Sequence, residues 1–229
     1  SMEKYLNEFD GQGYTIIPEL VSQKQIRRIF HQIESILDVV IDTHKIQIPL
    51  GVGIDAKYMA LKQQNPIIRS HVYDLIPVLN SIQEALFSSR VTKVVEYILG
   101  TSTVFTDDTQ VRIDDNTDDR LIELHQEVGQ ISIKNATVWC PLVDLHDEMK
   151  GLNILPGSHK NGFVPHRFYP EQHNYYCIAE DYPIDHSQII SPNCKAGDGI
   201  IFDGMLMHGS NPNKSKNIRW TLISRYNSL

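Results

Sequence analysis

Apolar positions along the chain change their repeat near residue 100. Between residues 22 and 40, Ile26, Ile29, Phe30, Ile33, Ile36, Leu37 and Val40 recur at three- and four-residue spacings. That spacing predicts one face of an amphipathic helix. Ser22 stands where an N-cap is needed, and Gln25 completes a capping box. Residues 75–99 repeat the pattern with Leu75, Val78, Leu79, Ile82, Leu86, Val91, Val94, Val95 and Ile98. Pro77 suits a first turn and Gly100 a C-cap, with a break near Ser88-Ser89 that divides the stretch into two helices.

From residue 101 the repeat is two. Thr103–Ile113 reads as a strand with Gln110, Arg112 and Asp114 on one face. Further strands are expected at Gln130–Ile133, Thr137–Val143, Leu152–Leu155, Gly199–Phe202 and Ile218–Tyr226. Turn signals separate them, such as Asp114-Asp115-Asn116, Pro156-Gly157 and Asn211-Pro212-Asn213. The expectation is a mainly β fold with flanking N-terminal helices, one domain over residues 2–229, helical to about 100 and a sandwich or barrel from about 101. Residues 163–195 read as a long irregular segment rich in His, Tyr, Asp and Pro, of the kind that forms lids or binding segments.

Composition narrows the partners. Lys plus Arg number 21 against 28 Asp plus Glu, a net charge of −7, the wrong sign for tracking nucleic-acid phosphates. No apolar run approaches the roughly 20 residues that span a bilayer, and no signal peptide is legible. Ser1-Met2 reads as the scar of a cleaved tag. Three dispersed cysteines, Cys140, Cys177 and Cys194, argue against a disulfide scaffold or a Cys-rich zinc site and fit a reducing cytoplasm. Six of the ten histidines lie between His125 and His186, which directs attention to the second half.

His125-Gln126-Glu127 follows the polar turn at 114–120. On a strand, residues i and i+2 project to one side, so the imidazole and the carboxylate can converge on one ion. His208 is the best third ligand. Two His and one carboxylate on one face of an octahedron match non-haem Fe(II) oxygenases, against the bland alternative of unrelated histidines. His146-Asp147-Glu148 has the same spacing but reads as a solvated connection, which holds ligands poorly. Arg219 lies eleven residues past His208. A hairpin through Asn211–Asn213 would return it to the metal, where its fork suits the distal carboxylate of 2-oxoglutarate. An exposed strand salt bridge is the alternative for Arg219. Ser210 could add a hydroxyl donor.

Trp139-Cys140-Pro141-Leu142-Val143-Asp144 and Gly151-Leu152-Asn153-Ile154-Leu155-Pro156-Gly157-Ser158-His159-Lys160 resemble the phytanoyl-CoA dioxygenase family of Fe(II)/2-oxoglutarate oxygenases. Gly197-Asp198-Gly199-Ile200-Ile201-Phe202, followed by His208, Ser210 and Arg219, is similar to that family's C-terminal signature. Gly13–Pro18 is similar to its opening strand. The resemblance implies a double-stranded β-helix (jelly-roll, cupin-like) core, with iron on His125, Glu127 and His208. It implies 2-oxoglutarate on Arg219 and Ser210, with Trp139 lining the pocket. Gln110 and Asp114 match positions that contact co-substrate, and Arg112 is assigned to substrate. The family usually has Asp where this chain has Glu127. Its halogenating relatives have a small residue there, so Glu127 points to hydroxylation or another oxidation. His159 matches a structural position of the family. His166, His173 and His186 read as solvated loop residues.

The reaction so implied consumes O2 and 2-oxoglutarate, releases succinate and CO2, and oxidises a C–H bond of a small polar metabolite or biosynthetic intermediate. The alternatives are a non-catalytic β-barrel binding protein with a degenerate metal site and a cupin-like metal-dependent isomerase or lyase.

Overall fold

Six α-helices precede the first long strand in the computed structural model, which describes residues 1–102, 104–118, 121–127, 134–169 and 175–228. The helices are α1 (Met2–Gln12), α2 (Gln23–Thr43), α3 (Ile54–Gln64), α4 (Pro66–Leu75), α5 (Asn80–Leu86) and α6 (Ser89–Leu99), with β1 (Tyr14–Ile17) between the first two. The capping box at Ser22 forms as the spacing predicts: the Ser22 hydroxyl accepts from the Gln25 N–H, and the Gln25 side chain accepts from the Ser22 N–H. Gly100 closes α6 in the left-handed region at φ 71°, where a side chain would be strained.

The expected helical stretch at 75–99 is shifted. α4 ends at Leu75, a 3-10 turn takes Ile76–Val78 with Pro77 inside it, and α5 begins only at Asn80. Leu75 and Val78 fit the apolar repeat yet stand exposed, because the turn rotates them off the buried face. α1, α3 and α4 were not legible as periodic runs. α3 buries only Tyr58 and Leu61, and its N-cap Gly53 has no side chain to mark it.

The strands are β2 (Val104–Asp114), β3 (Ile122–His125), β4 (Lys134–Pro141), β5 (Leu152–Ile154), β6 (His166–Tyr169), β7 (Tyr175–Ile178), β8 (Gly199–Asp203), β9 (His208–Ser210) and β10 (Arg219–Ser228). They form a five-stranded sheet in the order β1-β8-β4-β10-β2, a three-stranded sheet β3-β9-β5 and a hairpin β6-β7, and every pairing among the described residues is antiparallel. The mainly β, jelly-roll core with N-terminal helices is therefore the observed architecture. The strand expected at Gln130–Ile133 and the residues Thr103 and His173 lie outside the described residues.

Alternation divides the large sheet. On β4, Ala136, Val138 and Cys140 join the helices in one core with Ile29, Ile33, Leu37, Val95 and Leu222. Trp139 faces the other way and packs with Tyr14, Leu152, Ile154, Ile200 and Phe202. On β10, Trp220, Leu222 and Tyr226 enter the helix-side core, while Arg219, Ile223 and Arg225 face the cavity. Two expectations are corrected here. β9 and β10 are not a hairpin: β9 pairs with β3 and β5, and β10 with β2 and β4, so they belong to different sheets. The segment 163–195 is not wholly irregular, because it contains β6 and β7, two strands of four residues each, too short and polar to show an alternating pattern.

Candidate metal centre and cavity

His125 ends β3 and is paired in register with His208 on β9. Their rings lie 4.3 Å apart between centroids. Each ring is oriented from behind: Nδ1 of His125 lies 2.9 Å from the Glu123 carbonyl oxygen, and Nδ1 of His208 lies 2.8 Å from that of Leu206. With both Nδ1 atoms engaged, the ligand role falls to the Nε2 atoms. Oε1 of Glu127 is 3.1 Å from Nε2 of His208. Ligand atoms of His125, Glu127 and His208 all fall within 4.8 Å of one another, the group found among the described residues that could hold a metal ion. His146 and Glu148 are exposed around a 3-10 turn and take no part, as expected.

The protonation states suit ligation. Burial, with His208 adding to it, pushes His125 down to about 4, so the imidazole is neutral at pH 7. Burial would raise the Glu127 carboxyl, but the hydrogen bond from His208 and the charges of His208 and Arg225 outweigh it and bring it down to about 2. Neutral imidazole and ionised carboxylate are the forms a metal needs.

Two supports of this group carry no signal in the motif itself. Gln126, between two candidate ligands, is fully buried. Its side-chain amide donates to the carbonyls of Gly162 and Met205, both at 2.7 Å, and accepts from Val164 N–H at 2.9 Å. Its backbone N–H donates to Nε2 of His166 at 3.1 Å. His166 is thus a brace stacked on Phe163, not a solvated loop residue. Arg225, on β10, donates to Oε2 of Glu127 at 2.5 Å and lies 3.6 Å from Asp108. Glu127 is one methylene longer than Asp, and that reach brings its second oxygen to a cation across the cavity. His159 meets the Asp10 carbonyl at 2.9 Å and packs against Gly13, the structural place expected of it; His186 is exposed.

The metal group opens into a cavity of about 730 Å³ between the two sheets, inside the size range of small-molecule sites. Trp139, Gln110, Asp108 and Tyr176 of the β6–β7 hairpin line it. Gln110 donates to the Asp108 carboxylate at 3.2 Å. Farther along the same strands sit Ser210, Arg112, Asp114 and Arg219. Arg112 donates to the Ser210 hydroxyl at 3.2 Å and to Oδ1 of Asp114 at 3.1 Å. Arg219, 2% exposed, donates to Oδ2 of Asp114 at 3.3 Å and to the Asn211 carbonyl at 2.8 Å through Nη2. Through Nη1 it donates to the carbonyls of Met149 at 3.1 Å and Lys150. The hairpin that was expected to return Arg219 to the site does not exist, yet Arg219 reaches the cavity from the facing sheet.

A sequence model of the phytanoyl-CoA dioxygenase family matches residues 9–221. The chain belongs to the phytanoyl-CoA dioxygenase family. A Dictyostelium discoideum family member, a phytanoyl-CoA dioxygenase domain-containing protein 1 homolog, is 30% identical over 106 residues, which cover 43% of this chain and 37% of that protein. The matched stretch therefore spans well under half of that relative. Among solved structures, the apo non-haem monooxygenase ThoJ superposes with a TM-score of 0.70 at 18% identity, covering 98% of this chain and 77% of that one. The epimerase SnoN, crystallised with Fe3+, alpha-ketoglutarate and nogalamycin RO, gives 0.69 at 15% identity, covering 99% and 83%. EvdO2 from Micromonospora carbonacea var. aurantiaca, complexed with 2-oxoglutarate, gives 0.65 at 13%, covering 99% and 90%. At these identities the likeness is one of fold.

Its pairing with Arg225 accounts for how the long Glu127 side chain is held. The donor set itself, two imidazoles and one carboxylate, fits a non-haem iron ion.

Proposed function

We propose that this family member is an Fe(II)- and 2-oxoglutarate-dependent oxygenase acting through the unit of residues 2–229. His125, Glu127 and His208 would hold the iron. When bound, the iron with O2 supplies the oxidant, and the overall change is hydroxylation: C–H, O2 and 2-oxoglutarate give C–OH, succinate and CO2.

The observation that carries this reading is the charge arrangement of one cavity. At the metal end, Glu127 and Asp108 outnumber Arg225 by one negative charge, a place for a cation. At the other end stand two guanidiniums, Arg112 and Arg219, beside Asp114, with Asp118 also lining the cavity, a donor-rich place for a carboxylate. A two-residue step along β9 leads from His208 to Ser210, roughly 6.6 Å along a strand. A five-carbon keto diacid bound to the metal by its keto-acid end would direct its distal carboxylate to that guanidinium end. Trp139, Gln110 and Asp114 line its path. Cavity space beyond the co-substrate, rimmed by Asp108, Ile122 and Tyr176, suits a small polar organic substrate. The β6–β7 hairpin, through Tyr176, would help exclude water.

No helix among the described residues is long and apolar enough to cross a membrane. We place the protein in the cytoplasm, with no nucleic-acid partner.

The test is anaerobic titration with Fe(II) followed by 2-oxoglutarate, then succinate release on admitting O2. One Fe(II) per chain and succinate above a metal-free control are expected, with His208→Ala abolishing iron binding and His146→Ala leaving it intact. Iron and 2-oxoglutarate binding without succinate or any substrate oxidation would favour a binding protein. Metal binding without 2-oxoglutarate binding would favour an isomerase or lyase.

A further inference from the structure

Strand register arranges the cavity floor in rows. At the metal end one row runs Thr137, Arg225, Asp108 across β4, β10 and β2, and all three line the cavity. Within that row Asp108 is weakly held. Nη2 of Arg225 donates to Oε2 of Glu127 at 2.5 Å and stands 3.6 Å from Oδ2 of Asp108, beyond hydrogen-bonding reach. The carboxylate of Asp108 accepts from one amide, Nε2 of the exposed Gln110, at 3.2 and 3.4 Å. Asp108 keeps 38% of its side-chain surface open and is not one of the three metal donors. A cationic donor would replace the neutral amide with gain, because charge-assisted hydrogen bonds are the stronger kind.

Two features complete the space around it. Tyr176, half exposed, lines the same cavity, and its ring is backed by Phe168 at 5.0 Å across the β6–β7 hairpin. A carboxylate and an aromatic face around one space recognise an organic ammonium. At the far end of the row, Thr137 is 3% exposed and its hydroxyl has no hydrogen-bond partner. Thr137 lies two strand spacings from Asp108, roughly 9.6 Å between backbones. A buried hydroxyl left unmet in a cavity wall is costly until a ligand meets it. Residues 104–120 carry six aspartates against two arginines, which disfavours an anionic substrate in addition to the anionic co-substrate.

We propose that the substrate is an organic amine, with its ammonium on Asp108 beside Tyr176 and a hydroxyl or carbonyl at its other end on Thr137. Arg225, in the middle of the row, holds Glu127, so the carbon chain between the two contacts passes the metal group. This rests on the oxygenase reading given above and names the substrate class for it.

The experiment is calorimetric binding of matched probes to the full chain loaded with Co(II) and 2-oxoglutarate, without O2. Tyramine, tyrosol and phloretate share one phenol-bearing skeleton and end in an ammonium, a hydroxyl and a carboxylate. Tyramine should bind on the order of 10-fold more tightly than tyrosol, the difference between a charged and a neutral hydrogen bond, and phloretate should bind most weakly. Asp108→Asn should bring tyramine to within about threefold of tyrosol, and Asp108→Glu should keep the order of the three probes. Thr137→Val should weaken tyramine about 2- to 12-fold and leave phenethylamine, which lacks the hydroxyl, within a factor of about two. The proposal is overturned if tyrosol or phloretate binds as tightly as tyramine, or if tyramine does not bind at millimolar concentration. It is equally overturned if Asp108→Asn keeps the preference for the amine, or if Thr137→Val weakens both amines alike. Those results would leave the oxygenase reading standing; failure of the metal-loaded wild type to bind 2-oxoglutarate would overturn that reading and this proposal with it.

Discussion

Truncating Gln126 to Ala removes three side-chain hydrogen bonds at a site with no access to solvent. The partners differ in what they lose. Val164 is buried, so its N–H is left without an acceptor and incurs the full cost of an unmet buried donor, about 1–3 kcal/mol. Gly162 is exposed and its carbonyl can turn to water, which brings that contribution toward the net value of an ordinary hydrogen bond, about 1 kcal/mol or less. The Met205 carbonyl, half-buried, falls between. Together the loss is about 2–6 kcal/mol before any relaxation. In a chain of 229 residues each kcal/mol moves the melting temperature by roughly 2–4 °C, so a fall of about 4–24 °C is expected in calorimetry. Because Gln126 lies between His125 and Glu127, Co(II) affinity should fall as well, by ~10–100-fold, the usual effect of losing an outer partner of a metal ligand. A melting temperature within 3 °C or so of wild type would refute the view that this one amide ties β3 to residues 162–166 and 205.

Arg225→Met leaves Oε2 of Glu127 without its cation, and Co(II) titration should show affinity reduced by ~10–100-fold, with Arg225→Lys recovering part of the loss; unchanged affinity in Arg225→Met would show that Glu127 is held without it. Asp115 provides a pH test. Burial would raise its carboxyl, but Lys62 at 2.5 Å and hydrogen bonds from Thr117 outweigh that and hold it below the ordinary value. A lowered folded pKa means stability that is present above the unfolded value, near 4, and lost as pH falls through the folded one. Lys62→Met should therefore cost about 1–3 kcal/mol in urea unfolding at pH 7, with the gap narrowing below about pH 4; a gap constant with pH would exclude the ion pair as its source.

The large sheet and the metal group were legible because each carries a local signal. Period-two stretches marked β2, β4, β5, β8 and β10, and His-x-Glu marked two donors that reach one place, although β3 ends at His125 and Glu127 lies just beyond it. What was not legible is pairing across the molecule. The turn at Asn211–Asn213 suggested a hairpin, but a turn signal does not say which sheet the next strand joins, and β9 and β10 join different ones. Arg225 differs from any strand arginine only through Glu127, 98 residues away. Gln126 could be found only by asking why an amide sits between two ligands on a buried strand end. Three of the four acceptors of Arg219 are backbone carbonyls, which every sequence has. Short polar strands such as β6 and β7, and helices such as α3 with two buried side chains, fall below the periodicity that betrays longer elements.

The placement of His208 and the guanidiniums has a bearing on when the site comes into being. Arg112 meets Ser210 and Glu127 meets Arg225 across 98 residues in each case, and β1 near the start of the chain pairs with β8 at Gly199–Asp203. A chain synthesised as far as residue 205 carries His125, Glu127 and the full set of helices, but neither the third metal donor nor Arg219 and Arg225. Such long loop closures form slowly and late. On the ribosome the helical half would be finished and waiting while Glu127 and Asp108 remained uncompensated. A metal held by all three donors therefore requires closure of the last strands and not only the appearance of the His-x-Glu motif.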